Sequence, residues 1–154
     1  MADKNVQVST DIARDAGSLY EMVSELCDMG KWSPEAQGGK WIGGATGPAK
    51  GAKFRGSNRK GWRRWSTIAE VTDAEPGKRF AFRVTVGPLP IAEWTYDFEA
   101  AGAGTKVSES WQDIRPAWMP VVDPVVMGVS DRAEHNRKNM EATLAALKSG
   151  AEGK

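Results

Sequence analysis

The 154-residue chain suits a single domain with one core, roughly two-thirds of its unfolded surface being buried on folding. Its 21 Lys and Arg nearly cancel its 20 Asp and Glu, so it lacks the overall positive field of a dedicated nucleic-acid binder. One cysteine, Cys27, and one histidine, His135, exclude an intrachain disulfide framework and a Cys/His zinc site.

The opening "MADKNVQVSTDIAR" is polar and lacks the apolar core of a signal peptide, and no apolar run has the length of a membrane span. A soluble, cytoplasmic protein without membrane insertion is expected. Val6, Val8, Thr10 and Ile12 recur every second residue and predict a first strand. Asp15 can cap a helix whose apolar positions Ala16, Leu19, Met22, Val23 and Leu26 keep helical spacing, ending near Gly30. A second short helix or turn carries Met29 and Trp32. Cys27 is read as a small buried hydrophobe.

Pro34 and the five glycines from Gly38 to Gly47 predict loops around a short strand at Lys40 to Ile42. The stretch "GGATGPAKG" has neither the Gly-Lys-Ser/Thr ending nor the following helix that a phosphate loop needs. From Ala52 to Asp113 successive strands are predicted, with turns at "RKG", "AEPGK", "GPLP" and "AGAG". Phe80, Phe82, Val84 and Val86 form one alternating apolar set, and Ala92, Trp94, Tyr96 and Phe98 another, as expected of an antiparallel sheet with one apolar face. The last strand alternates Thr105, Val107, Glu109, Trp111 and Asp113, so that two carboxylates share a face with a core valine.

After "IRPAWMP", Asp123 can cap a helix with Pro124 at its first position, running to about Lys148. Val125, Val129, Asn136, Met140, Thr143, Leu144 and Leu147 share one stripe of it, and Gly150 supplies the stop. Residues 1–149 are thus expected to form the domain and 150–154 a flexible tail. The sum is an α+β fold in which a curled antiparallel sheet of about seven strands wraps the long C-terminal helix, with two short helices after the first strand. A curled sheet touches a straight rod well at one end only, and a ligand cavity is expected where the two separate.

The chain resembles the START-like helix-grip superfamily (SRPBCC), which includes bacterial polyketide cyclase/dehydrase-like proteins. The resemblance is carried by "VQVSTDIARDAGSLYEMVSEL", "WSPE", "PGKRFAFRV", "GTKVSESW" and "NRKNMEATLAAL" and spans nearly the whole chain. It implies a hydrophobic cavity between sheet and C-terminal helix that binds lipids, polyketides or other apolar molecules; only some members are enzymes.

Glu109, on the inward parity of the last strand, is expected to be desolvated and raised in pKa, a poised acid or base. A neighbouring cation or a tryptophan N–H could instead satisfy it. Arg83 has outward parity, whereas Arg63 or Arg64 faces inward according to register. Asn136 falls at the centre of the helical stripe and needs a partner, from a ligand, a loop carbonyl or a water. His135 flanks the stripe, within reach of Asp131. The seven tryptophans give more ring surface than the core requires, so a ligand-binding set is proposed from Trp32, Trp41, Trp65, Trp94, Tyr96, Trp111, Trp118, Val129, Asn136 and Met140.

Three functions compete. The first is binding or carriage of a small hydrophobic molecule. The second is a polyketide aromatase/cyclase-type enzyme in which Glu109 and Asp113 are catalytic. The third is a nucleic-acid or protein-interaction module acting through the basic Arg55–Arg64 hairpin, within the stretch "RGSNRKGWRRWS". Alternation sends most of that hairpin's cations to a solvated face, which disfavours nucleic acid as the partner. No cofactor and no metal are expected.

Overall fold

A computed structural model describes residues 5–26, 31–32, 36–60, 63–115 and 132–152. Seven strands form one antiparallel sheet: β1 (Asn5–Ile12), β2 (Ala36–Ile42), β3 (Lys53–Lys60), β4 (Arg63–Glu75), β5 (Arg79–Val86), β6 (Leu89–Ala101) and β7 (Gly104–Asp113). Their order is β1-β7-β6-β5-β4-β3-β2, so the first two strands of the chain are the two edges. Helix α1 (Ala16–Ser24) follows β1, and helix α2 (Arg132–Ala151) closes the described chain.

The alternations set the register. Phe80 and Phe82 of β5, Tyr96 and Phe98 of β6, and Val107, Glu109 and Trp111 of β7 are all buried. Trp94 lies directly across from Trp111, and Tyr96 across from Glu109. The alternation fails at Val86, which is exposed beyond a register shift between Val84 and Thr85. A second shift, between Val71 and Asp73, interrupts the 13-residue β4. Such bulges bend a strand and increase its twist. Three of the expected turns are seen, at residues 76–78, 87–88 and 102–103, with Gly77, Gly87 and Gly102 at positive φ, while the expected turn at "RKG" runs into residues outside the described ones.

Asp15 caps α1 as expected, its Oδ2 accepting the Ser18 N–H at 2.9 Å and its Oδ1 the Ser18 hydroxyl at 2.8 Å. The helix stops at Ser24, earlier than its apolar spacing suggests, and Leu26 is buried beyond it. Residues 27–30, with Cys27 and most of the expected second helix, lie outside the described residues. Strand β2 begins at Ala36 rather than Lys40, across a shift between Ala36 and Gly38.

In α2, Asn136, Met140, Thr143, Leu144 and Leu147 of the predicted stripe are buried, while its Val125 and Val129 lie outside the described residues. Its expected start at Asp123 lies outside the described residues. Its end corrects the expected tail: the helix runs through Gly150 to a buried Ala151. The Glu152 carboxylate accepts from the Ala13 N–H at 2.9 Å and from Lys148 Nζ at 2.7 Å. Arg14 donates to the Ala151 carbonyl and Lys148 to that of Asp11. The Arg14 bond satisfies a helix-end carbonyl that would otherwise lack a partner, and the set fixes the C-terminal end of α2 to the end of β1 and the β1–α1 connection. Helix α2 lies against β1 and β7, while α1 covers β5 and β6.

Two apolar clusters result. The larger joins Leu19, Tyr20, Phe80, Tyr96, Phe98, Val107, Leu144 and Leu147, among others; the smaller joins Val6, Ala92, Trp111 and Met140. Val8 and Trp94 pack against both.

Candidate functional site

Glu109 lies on β7 between Val107 of the larger cluster and Trp111 of the smaller one, with Val8 across from it on β1 and Tyr96 on β6. The residue is 2 % exposed. The Tyr96 hydroxyl donates to its Oε2 at 2.8 Å, and its Oε1, also buried, has no hydrogen-bond partner among the described residues. Burial opposes ionisation and pushes the carboxyl up to about 8, the Tyr96 hydrogen bond only partly offsetting this. Glu109 is therefore mainly a neutral acid at neutral pH. With Oε2 already accepting from Tyr96, its proton belongs on Oε1. The Tyr96 phenol, buried beside this carboxyl, is raised well above its ordinary value and stays protonated.

Asp113, four residues on and of the same parity, has a different environment. Arg115 Nε donates to its Oδ1 at 2.9 Å and Nη2 to its Oδ2 at 2.6 Å, while the Arg115 backbone N–H donates to Oδ1 at 3.0 Å. Both side chains are only 7 % exposed. A carboxylate held by a guanidinium fork is stabilised in its charged form and is a poor acid or base. Asp113 is thus ion-paired to Arg115, while Glu109 is bonded to the Tyr96 phenol, so the two expected acid/base candidates stand in different environments. Arg115 escaped the sequence reading. Its signal was the opposite charge at i, i+2, which shares a face wherever extended backbone continues past a strand's end.

The expected ligand-binding residues divide into groups. Trp94, Trp111 and Met140 meet in or against the smaller cluster, beside the Glu109–Tyr96 pair, and Asn136 is buried one turn before Met140 on α2. Trp32 and Trp41 lie apart, against the larger cluster. Trp41 donates to Glu25 Oε1 at 3.2 Å and meets Phe54 edge to face; a ring of Trp32 crowds Gly150 of α2. Trp65 is half-buried on β4 across from Asn58. Trp118 and Val129 lie outside the described residues, as do Asp131 and the side chains of Arg63 and Arg64. Arg83 is half-exposed and paired with Glu93, as its parity predicts. His135 Nε2 lies 3.2 Å from the Asn139 amide nitrogen, one turn along the helix.

A concavity of about 530 Å³ opens in the β2–β3 loop, lined by residues 43–49 and 52, none of which titrates. A strand follows it rather than a helix, so it is not a phosphate loop. Among the described residues no helix is long and apolar enough to cross a membrane.

A long terminal helix laid on a seven-stranded antiparallel sheet is the helix-grip architecture. The chain belongs to the polyketide cyclase/dehydrase and lipid transport family, whose model matches residues 3–152. It is similar to Cgl2372 of Corynebacterium glutamicum, described as polyketide-cyclase-like. That protein is 30% identical over 94% of this chain and 88% of its own, with a TM-score of 0.58. CV1439 of Chromobacterium violaceum shares the fold at 12% identity and a TM-score of 0.73, over 97% of this chain and 99% of its own. So does the di-domain ARO/CYC protein StfQ of the steffimycin biosynthetic pathway, at 12% identity and a TM-score of 0.72; 97% of this chain matches 51% of that one. No curated protein matches the sequence significantly.

Proposed function

We propose that the chain binds a small hydrophobic molecule between its sheet and C-terminal helix, and that the Glu109 carboxyl holds the ligand's polar end. Membership in a family described by polyketide cyclisation and lipid transport suggests a hydrophobic ligand. The observation that carries the reading further is the unpartnered Oε1 of Glu109, buried where two apolar clusters meet. An unsatisfied buried polar atom costs about 1–3 kcal/mol, which a ligand can recover by pairing with it. A neutral carboxyl donates, so the matching ligand group is an acceptor, such as a ketone or ester carbonyl. Trp94, Trp111 and Met140 supply apolar walls beside it, and Asn136 a second polar contact.

Organic extraction and mass spectrometry of the purified protein test this, together with uptake of the apolar dye Nile red. A co-purifying apolar molecule bearing a carbonyl, displaced by the dye, is the expected result; the absence of both a bound molecule and dye uptake would refute the reading. The enzyme reading draws on one feature. A carboxyl titrating at about 8 can both give and accept a proton near neutral pH, as cyclisation or dehydration of a poly-β-ketone requires. On that reading Glu109→Gln abolishes turnover of a model poly-β-ketone while dye uptake survives; unchanged chemistry leaves the carrier role.

A further inference from the structure

The charge balance of the whole chain conceals a strong internal asymmetry. Residues 36–69 hold eight of the 21 basic residues, Lys40, Lys50, Lys53, Arg55, Arg59, Lys60, Arg63 and Arg64, and none of the 20 acidic ones. The rest of the chain therefore carries 13 basic and 20 acidic residues, a net charge of −7 against +8. This basic segment spans β2, β3 and the first half of β4, which form one edge of the sheet.

Register sharpens the contrast. Across the middle of the sheet opposite charges face each other: Lys53 pairs with Glu70, Glu70 with Arg83, and Arg83 with Glu93, the last at 3.5 Å. Arg79 similarly sits 3.3 Å from Asp97 and 4.0 Å from Asp73. At the basic edge the opposed register positions hold basic residues on both strands instead. Lys40 is directly across from Arg55, Arg59 from Arg64, and Lys60 from Arg63. Like charges directly opposite on neighbouring strands destabilise a sheet, so the Lys40–Arg55 pair is a cost that an anionic partner would relieve. Lys40 and Arg55 are both exposed, on the parity opposite to Trp41 and Phe54.

Single-stranded nucleic acid would need exposed rings among the cations as stacking platforms. Trp41 and Trp65, the two described indoles of this region, are half-buried, and Trp41 is committed to Glu25 and Phe54. A bilayer surface needs only the charge. An apolar cargo must also be collected from, or delivered to, a phase in which it dissolves. Resting on the hydrophobic-ligand reading for that choice, we propose that the β2–β3–β4 edge is an electrostatic docking surface for anionic lipid headgroups, bringing the protein to a membrane without insertion.

Vesicle flotation tests this, with phosphatidylcholine vesicles and with vesicles containing about one-third phosphatidylserine, at salt below and above ~0.15 M. Partitioning onto the anionic vesicles alone, lost at high salt, is expected. At about 1 kcal/mol, or roughly fivefold, per neutralised cation, the double variant Lys40→Gln/Arg55→Gln should partition about 25-fold more weakly. Relief of cross-strand repulsion should leave its melting temperature equal or higher. Lys106→Gln, an exposed cation on β7 across from Glu99, should partition like the parent. Equal binding to neutral vesicles, no binding to anionic ones at low salt, or an unaffected double variant would overturn the proposal. So would tighter binding to RNA or duplex DNA than to anionic vesicles, which would make this edge a nucleic-acid surface. The vesicles contain no added cargo, so docking is read independently of uptake. Vesicle binding without dye uptake would sink the ligand reading alone; dye uptake without vesicle binding would sink only the docking surface.

Discussion

Glu109 and Asp113 are two carboxyl groups four residues apart on one strand, of one parity and both buried, yet their environments drive them to opposite charge states. Asp113 has a guanidinium fork on both oxygens and is held as an anion. Glu109 has a phenol on one oxygen and no hydrogen-bond partner on the other among the described residues, and is held as an acid. Burial alone therefore does not set a carboxyl's role; the partner on its second oxygen does. A satisfied ion pair closes the end of β7, while an unsatisfied neutral acid marks the place where a ligand atom would fit.

Removing the cation should break this comparison with the largest effect. Arg115→Ala takes the guanidinium from a buried carboxylate and should cost about 3 kcal/mol or more in chemical denaturation, because the desolvated charge remains. Replacing both partners, as in Asp113→Leu/Arg115→Met, should recover most of that loss. A double variant no more stable than Arg115→Ala would show that the pair is not the unit described.

The next effect has the opposite sign. Glu109 titrates near 4.5 when unfolded and at about 8 when folded, so between those values the folded state binds the extra proton. Its contribution to stability is complete below about 4.5, falls as pH rises through that window and is flat above about 8. Glu109→Gln should flatten this dependence and stabilise the ligand-free protein by roughly 3 kcal/mol at neutral pH. Unfolding midpoints measured at several pH values check it; parallel curves for the two proteins would contradict the buried neutral acid.

Smaller still, Tyr96→Phe deletes the phenol hydrogen bond to Glu109, its one donor among the described residues, and should cost about 1–2 kcal/mol. Because that hydrogen bond holds the folded Glu109 value down, its loss should move the upper end of the window to higher pH while the lower end stays near 4.5, giving a shift as well as a loss to be measured.

Much of this was legible in the sequence because strand alternation is a strict two-residue period. Thr105 to Trp111 placed Glu109 in the core, and Ala92 to Phe98 placed Tyr96 beside it once the hairpin register was set. The α2 stripe was legible for the same kind of reason. What escaped lay where periodicity ends. Arg115 sits past the last strand residue, α1 stops at Ser24 although apolar spacing continues to Leu26, and Glu152 accepts from the Ala13 N–H, 139 positions away. Composition over a window also carried more than the hairpin alone: Arg55 to Ser66 looks like a local patch, whereas residues 36–69 without a single acid define one pole of the molecule.

The central claim is that Glu109 is a buried acid still carrying its proton in neutral solution. Carbon-13 NMR titration of the Glu109 carboxyl, assigned by comparison with Glu109→Gln, tests it most directly. The account predicts a protonated signal at neutral pH and a midpoint near 8. A midpoint near 4.5, with a carboxylate signal at neutral pH, would contradict it.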